Sequence, residues 1–214
     1  MGTDIHGVFQ RHDKESGQWV DIASEYEQDR NYRLFAVLAG VRNGTGFAGI
    51  RTGEAVRPIA EPRGLPNDFA VDGMTVHTVD SLDCLDPISR KDYQDADVLT
   101  VWMGEHAHSW LTGDEMLARY ESAPKVINTG ILSREVYEKW DGKSFPSWYC
   151  AGISGSGVVV VNDNAVEKES TPNWTHIRCT WESELCEDLK YFFDEVARLV
   201  SKHGEIRFVF GFDS

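Results

Sequence analysis

The sequence predicts an α+β fold: a mostly antiparallel sheet with helices packed on one side, a long Gly/Arg-rich loop and an inserted arm. Three observations lead to this class. Several segments alternate apolar and polar residues, which is the period of a β-strand. Residues 183–203 instead space their apolar residues three and four positions apart, as an amphipathic helix does. Strand and helix patterns are mixed without the regular βαβ repetition of a parallel sheet.

The chain length fits one such domain. With 214 residues, 41% of them apolar, the sequence can fill one sizeable core. We therefore expect a single α+β domain over residues 1–214. Residues 67–98 are acidic and irregular around one alternating segment at 74–79. We expect this stretch to be an insertion or arm.

The first predicted strand covers residues 3–11, and residues 18–23 would be its hairpin partner. Because side chains alternate along a strand, Ile5 and Phe9 would share one face, and Asp4 and His6 the other. Because Ile5 and Phe9 are apolar, their face of the strand is expected to pack against the core.

A helix is expected next, capped by Asp29 or Asn31 and ending at Gly40. Its buried stripe would comprise Leu34, Phe35 and Leu38. Residues 42–66 are rich in Gly, Pro and Arg and show no helical period. We expect them to form a long ordered loop with short strands.

The second half of the chain alternates strands with helices. Thr112 and Glu115 form a capping box, which predicts a helix over 113–121. The longest helix would span 183–203 and end at Gly204. A short helix is expected at 134–140, and strands at 99–103, 125–132, 157–162, 175–181 and 205–212.

Composition and charge argue against several classes of function. The formal net charge is -14, which repels phosphate backbones, so non-specific nucleic-acid binding is not expected. No apolar run approaches the roughly 18 to 20 residues that cross a bilayer. The four cysteines form no CxxC pair, as expected for a reducing compartment. We therefore expect a soluble intracellular protein with no membrane partner.

A glycine-rich stretch at residues 44–49, GTGFAG, invites a dinucleotide-binding interpretation that its context opposes. Such a fingerprint needs a strand before it and a helix after it, whereas here a helix precedes it. The loop is still notable for its local positive charge, carried by Arg42, Arg51, Arg57 and Arg63. Guanidinium groups beside glycine amides can hold phosphate, although these arginines could equally pair with the surplus carboxylates.

Two histidine-containing pairs carry the strongest chemical signal. Asp4 and His6 are two residues apart on a predicted strand, and His106 and His108 share that spacing. If both segments are extended and meet, His6, His106 and His108 could act as catalytic acids or bases. With Asp4 they could also bind a divalent metal. The alternative is that these are ordinary surface or capping histidines.

Polar residues near the first helix and the second histidine pair complete a predicted ligand pocket. Arg30, Asn31 and Tyr32 could bind an anion at the helix N-terminus, and a ring of Tyr32 or Trp110 would stack on the ligand. The alternative is purely structural: Asp29 or Asn31 caps the helix, and Arg42 and Asn43 form its exit turn. The predicted ligand-binding residues are Arg30, Asn31, Tyr32, Arg42, Asn43, Gly44, Gly46, Arg51, Ser109 and Trp110.

Several stretches together resemble a family of proteins encoded by actinobacterial phages and scattered bacterial genomes. The stretches are GTDIH, DRNYRLFAVLAGVRNGTGFAGIRTG, EPRGLPNDF, WMGEHAHSWLT and RFVFGFDS. They are spread over most of the chain, and residues 67–98 match least. The family has no established activity, so the resemblance transfers no catalytic residue. It implies a phage-encoded accessory or counter-defence protein working in the host cytoplasm.

Three functions from different classes remain open. The leading expectation is a protein that binds a small phosphorylated or nucleotide-like ligand. The second is a hydrolase of phosphodiesters that uses the histidines, with or without a divalent metal. The third is an inhibitor that docks its acidic surface on a basic host protein, in which case the histidines would be dispensable.

Overall fold

The computed structural model describes residues 2–28, 30–44, 55–78, 87–121 and 125–213. The strands formed by these residues are β1 (Ile5–Asp13), β2 (Gln18–Asp21), β3 (Thr75–His77), β4 (Thr100–Trp102), β5 (His106–Thr112), β6 (Lys125–Ser133), β7 (Val160–Asn162), β8 (His176–Glu184) and β9 (Ile206–Phe212). The helices are α1 (Tyr32–Ala39), α2 (Pro87–Gln94), α3 (Gly113–Glu121), α4 (Arg134–Lys139), α5 (Ala165–Ser170) and α6 (Leu185–His203).

The largest sheet joins the first strand of the chain to the last. Its order is β2-β1-β9-β5, and every neighbouring pair is antiparallel. In the central pair, Ile5 lies opposite Phe212 and Arg11 lies opposite Ile206. The start of β1 and the end of β9 therefore lie side by side at one end of this sheet.

Two smaller sheets complete the strand pairing among the described residues. In the order β6-β8-β7, β6 pairs with β8 in antiparallel fashion and β7 pairs with β8 in parallel. Strands β3 and β4 form a parallel pair. Antiparallel pairing predominates, and this confirms the predicted α+β class with a mostly antiparallel sheet.

Helices α1, α3 and α6 cover one face of the large sheet. Phe212 on β9 contacts Phe35 of α1, with ring centres 5.1 Å apart, and Phe208 contacts Phe192 of α6 at 5.6 Å. These four rings are almost completely buried. Burying one such side chain contributes about 1.5–3 kcal/mol, so this aromatic layer is the principal core of the fold.

The opposite face of the large sheet carries buried polar groups. Arg207 is 3% exposed and donates to Gln10 at 2.9 Å and to Asp68 at 2.7 Å. Its guanidinium also lies 4.3 Å from the ring centre of Trp19. Asp68 belongs to the stretch predicted to be an arm, so the start of that stretch lies against this face.

The residues predicted to mark the ends of α1 and the start of α3 do so in the structure. The side chain of Asn31 accepts a hydrogen bond from Leu34 N at 3.1 Å, and Gly40 ends α1 in a left-handed conformation. Glu115 and Thr112 exchange the reciprocal hydrogen bonds of a capping box, at 2.9 and 3.2 Å. Each cap is a short-range interaction, which is why the sequence could predict it.

Helices α2 and α5 were not predicted. Their sequences, PISRKDYQ and AVEKES, are short and largely polar. Helix α5 has no buried residue, so it lacks the apolar stripe on which a periodicity argument depends.

The predicted Gly/Arg-rich loop is described at its two ends. Residues 41–44 form turns, and residues 55–70 contain neither helix nor strand. Residues 45–54 lie outside the described part of the chain. No helix within the described residues is long and apolar enough to span a membrane.

Candidate functional site

Residues 3–6 lie at the end of the large sheet, beside the last residues of the chain. The backbone N–H of Asp4 donates to Oδ1 of Asp213 at 2.8 Å, and Asp213 N–H donates to the carbonyl of Asp4 at 3.2 Å. His6 lies opposite Gly211 in the β1–β9 register. This antiparallel pairing brings the GTDIH and GFDS stretches together.

His6 is held by a carboxylate. Its Nε2 lies 2.9 Å from Oδ2 of Asp213, and the two side chains are 27% and 29% exposed. Because a carboxylate only accepts hydrogen bonds, the proton in this contact belongs to Nε2. A neutral His6 then keeps Nδ1 as an acceptor, and a carboxylate-oriented imidazole of this kind suits general acid–base chemistry.

Asp213 is the residue that the sequence analysis missed. It continues the alternation of β9 past Phe212, on the same side as Gly211 and therefore as His6. The signal was present in the sequence, but it becomes useful only once β1 and β9 are known to be neighbours.

The spacing of His106 and His108 predicts that both side chains point to one side. The structure shows that they do not. His106 lies opposite Phe212 and Ser109 opposite Phe210, so β5 contains one residue more than β9 over this interval. Ala107 within this bulge has a φ of 50°. The bulge breaks the alternation of an extended strand.

The bulge sends the two imidazoles to opposite faces. The ring of His106 stacks on Phe212, with centres 6.2 Å apart, on the side of the helices. His108 lies against Gly211, because a Cβ built on Gly211 would be 2.6 Å from its Cδ2. Nε2 of His108 is 3.0 Å from the carbonyl of Gly104. His6 and His108 therefore share the face on which Gly211 has no side chain.

The predicted metal set is not assembled. Asp4, His6, His106 and His108 all belong to the described residues, and no group of three or more His, Cys, Asp or Glu there could hold a metal ion. The carboxylate of Asp4 is instead engaged by Arg30, whose Nε and Nη2 donate to it at 2.7 and 2.5 Å. These hydrogen bonds lower the pKa of Asp4.

The predicted anion-binding residues near α1 contact the N-terminal segment. The hydroxyl of Tyr32 accepts from Thr3 N at 3.3 Å. Arg42 Nε donates to the Thr3 hydroxyl at 2.7 Å, and its guanidinium is 5.7 Å from the ring centre of Tyr32. Asn31 serves as the cap of α1. Arg30, Tyr32 and Arg42 thus all converge on Thr3 and Asp4.

These contacts define a single group of side chains at the end of the sheet. We call it the N-terminal cluster, and it comprises Thr3, Asp4, His6, Arg30, Tyr32, Arg42 and Asp213.

Asn43, just before the glycine-rich segment, is hydrogen-bonded to Val56, which follows that segment. The amide side chain of Asn43 donates to the carbonyl of Val56 at 2.7 Å and accepts from its N–H at 2.8 Å. Gly44 has a φ of 71°, a conformation that glycine adopts without strain. Gly46 and Arg51, which were predicted to bind ligand, lie outside the described residues.

Ser109 and Trp110 contact a different part of the chain. Ser109 is fully buried, and its hydroxyl accepts from Arg63 N at 3.2 Å. The guanidinium of Arg63 lies 5.1 Å from the ring centre of Trp110 and pairs with Glu115 at 2.5 Å. These contacts give both residues a structural role in holding residue 63 against β5 and α3.

Fold and site together define an α+β protein with a carboxylate-oriented histidine and two arginines gathered where its first and last strands meet. A scan against protein-family models, a search of curated proteins and a search of solved structures found no match for the chain.

Proposed function

We propose that the chain binds a small phosphorylated or nucleotide-like ligand at the N-terminal cluster. The observation that carries this proposal is the convergence of Arg30, Tyr32 and Arg42 on the segment that also holds His6. This gathers two cations, a phenol ring and an imidazole in a chain whose net charge is -14.

Arg42 is the cation best suited to meet a phosphate group. Its Nε donates to the hydroxyl of Thr3 at 2.7 Å, and its guanidinium lies 5.7 Å from the ring centre of Tyr32, the ring proposed to stack on the ligand. Arg30 is paired through two hydrogen bonds with the carboxylate of Asp4. We assign Arg30 to positioning the N-terminal segment and Arg42 to the ligand.

The surrounding groups fit the remainder of such a ligand. Arg42 and Gly44 both have positive φ values, 53° and 71°, and turns of this type arrange backbone N–H groups for anions. The ring of Tyr32 would provide a surface on which a nucleobase stacks. The second ring nitrogen of His6, the one not bonded to Asp213, would offer a hydrogen bond to the ligand.

Isothermal titration calorimetry against a panel of nucleotides, including cyclic signalling nucleotides, tests the proposal. We expect at least one member to bind, and Arg42→Gln to weaken its binding about tenfold or more through loss of a charge-assisted hydrogen bond. Arg178→Gln is the matched control, because Arg178 is exposed on β8. A panel without binding, or equal affinities for Arg42→Gln and the control, would refute the proposal.

The pair of His6 and Asp213 favours a second candidate, hydrolysis of a phosphodiester ligand. His6 would act as the acid or base and Asp213 would hold its imidazole in place. Chromatography of the ligand after incubation measures this activity. We expect His6→Gln and Asp213→Asn to lower turnover about 10²- to 10⁴-fold, and a ligand recovered intact from wild-type protein would rule hydrolysis out.

The biological setting of the proposal follows from the family resemblance. A phage-encoded protein that binds or cleaves a host nucleotide in the host cytoplasm would serve as an accessory, counter-defence protein. Infection assays with and without the binding-deficient Arg42→Gln variant would measure that role.

A further inference from the structure

A groove separate from the N-terminal cluster lies between residues 57–59 and helix α3. Its cavity volume is about 360 Å³, within the usual range of small-molecule sites. None of its lining residues belongs to the N-terminal cluster. The groove is lined by Arg57, Pro58, Ile59, Glu115, Ala118 and Arg119.

Two arginines, Arg57 and Arg119, line this groove together with one carboxylate, that of Glu115. Nη2 of Arg119 donates to the backbone carbonyl of Arg57 at 3.0 Å, and its Nε is buried without a hydrogen-bond partner. Burial, followed by the charge of Arg57, lowers the pKa of Arg119. Both effects disfavour the arrangement unless an anion joins it.

Glu115, the carboxylate in the groove, already forms an ion pair with Arg63. Glu115 accepts from Arg63 at 3.1 and 2.5 Å and from Thr112 N at 2.9 Å. Within the described ranges, neither Arg57 nor Arg119 forms an ion pair with an acidic side chain.

We infer that the groove binds the phosphomonoester group of a small molecule. Two guanidinium groups can each offer paired N–H donors to the phosphate oxygens, and a dianion would relieve the repulsion between Arg57 and Arg119. Pro58, Ile59 and Ala118 supply apolar surface for the organic part. The inference does not depend on the proposed function, because the two sites share no residue.

The net charge of the whole chain favours a small phosphorylated ligand over a nucleic acid. A nucleic acid would bring many phosphates into the field of a protein with a net charge of -14, which opposes its approach. A single phosphomonoester contacts only the two local cations. The groove is also too small to enclose more than a few sugar-sized groups.

Isothermal titration calorimetry with inorganic phosphate, ribose 5-phosphate and ribose tests the inference. We expect both phosphates to bind and ribose not to bind, with ribose 5-phosphate the tighter of the two phosphates because of the apolar lining. Arg57→Gln and Arg119→Gln should each weaken ribose 5-phosphate binding about tenfold or more. Arg119→Lys, which keeps the charge, should retain part of the affinity.

Two further variants test whether the measured binding belongs to the groove. Arg178→Gln removes an exposed arginine from β8 and should bind as wild type does. In the Arg42→Gln background, where phosphate binding at the N-terminal cluster is weakened, Arg57→Gln should still weaken ribose 5-phosphate binding about tenfold or more, so failure here is distinguishable from failure of the proposed function. The inference is overturned if neither phosphate binds, if Arg57→Gln and Arg178→Gln bind alike, or if a single-stranded oligonucleotide competes at lower concentration than ribose 5-phosphate.

Discussion

Gly211 shows how one small residue shapes the N-terminal cluster. A Cβ at this position would lie 2.1 Å from the carbonyl oxygen of Met103 and 2.6 Å from Cδ2 of His108. The absence of a side chain lets backbone and imidazole approach β9 from the same face as His6. The Met103 carbonyl and the His108 imidazole can therefore pack on the face that carries the His6–Asp213 pair only because residue 211 is a glycine.

Glu195 has an equally specific structural role, within helix α6. Its side chain, 5% exposed, accepts from the Ser24 hydroxyl at 2.9 Å and from Glu25 N at 2.8 Å. Arg198 donates to both of its oxygens, at 2.6 and 2.8 Å. Arg198 above all lowers the pKa of Glu195, to about 2.

This lowered pKa predicts a pH dependence of stability. The folded-state pKa lies below the unfolded value, so the contribution is complete above about pH 4.5 and is lost as the pH falls towards 2. It amounts to about 3 kcal/mol. We expect Glu195→Gln to lower the free energy of unfolding at pH 7 by about 1–3 kcal/mol, and the difference from wild type to shrink as the pH falls from 5 to 2.

Urea unfolding at a series of pH values measures this difference. Glu169→Gln is a suitable control, because Glu169 is exposed on α5 and should leave the pH profile unchanged. A Glu195→Gln deficit that stays constant from pH 7 to pH 2 would contradict the assignment.

At the scale of elements, the bulge in β5 determines where the histidines point. Ala107 adopts a φ of 50°, which is uncommon for residues other than glycine and is strained for β-branched ones. The bulge puts His106 on the helix side and His108 beside Gly211. An unbulged β5 would place both imidazoles on one face.

Substitutions at Ala107 should test the bulge directly. We expect Ala107→Val to lower the free energy of unfolding by about 1–3 kcal/mol, since a β-branched side chain strains this backbone. Ala107→Gly should be close to neutral, because relief of strain offsets the added chain entropy. Thermal or urea unfolding gives both values, and equal losses for the two variants would show that φ at residue 107 is not what matters.

Elements that depend on short-range signals were predicted closely. Asn31 and Gly40 mark the ends of α1, the Thr112–Glu115 pair starts α3, and the apolar spacing of α6 is visible in the sequence. The bulge in β5 could not be predicted in this way. It depends on how β5 pairs with β9, and no local pattern at residues 106–109 encodes that partner.

At the scale of the whole molecule, the sheet order joins motifs that are far apart in sequence. His6 and Asp213 are 207 residues apart and meet because β1 and β9 are neighbours. Alternation in each strand predicts which face a residue occupies, but it does not predict which strand lies alongside. For this reason the sequence could propose His6, Arg30, Tyr32 and Arg42 as site residues, but it could not indicate that Asp213 lies beside His6.

The most direct test of the central claim is a ¹H–¹⁵N NMR titration of the wild-type chain with the tightest-binding nucleotide of the panel. We expect the largest chemical-shift changes at the amides of the N-terminal cluster, including His6, Arg42 and Asp213, with Arg178 unaffected. Changes confined to residues 57–59 and 118–119, or no changes at saturating nucleotide, would contradict ligand binding at the N-terminal cluster.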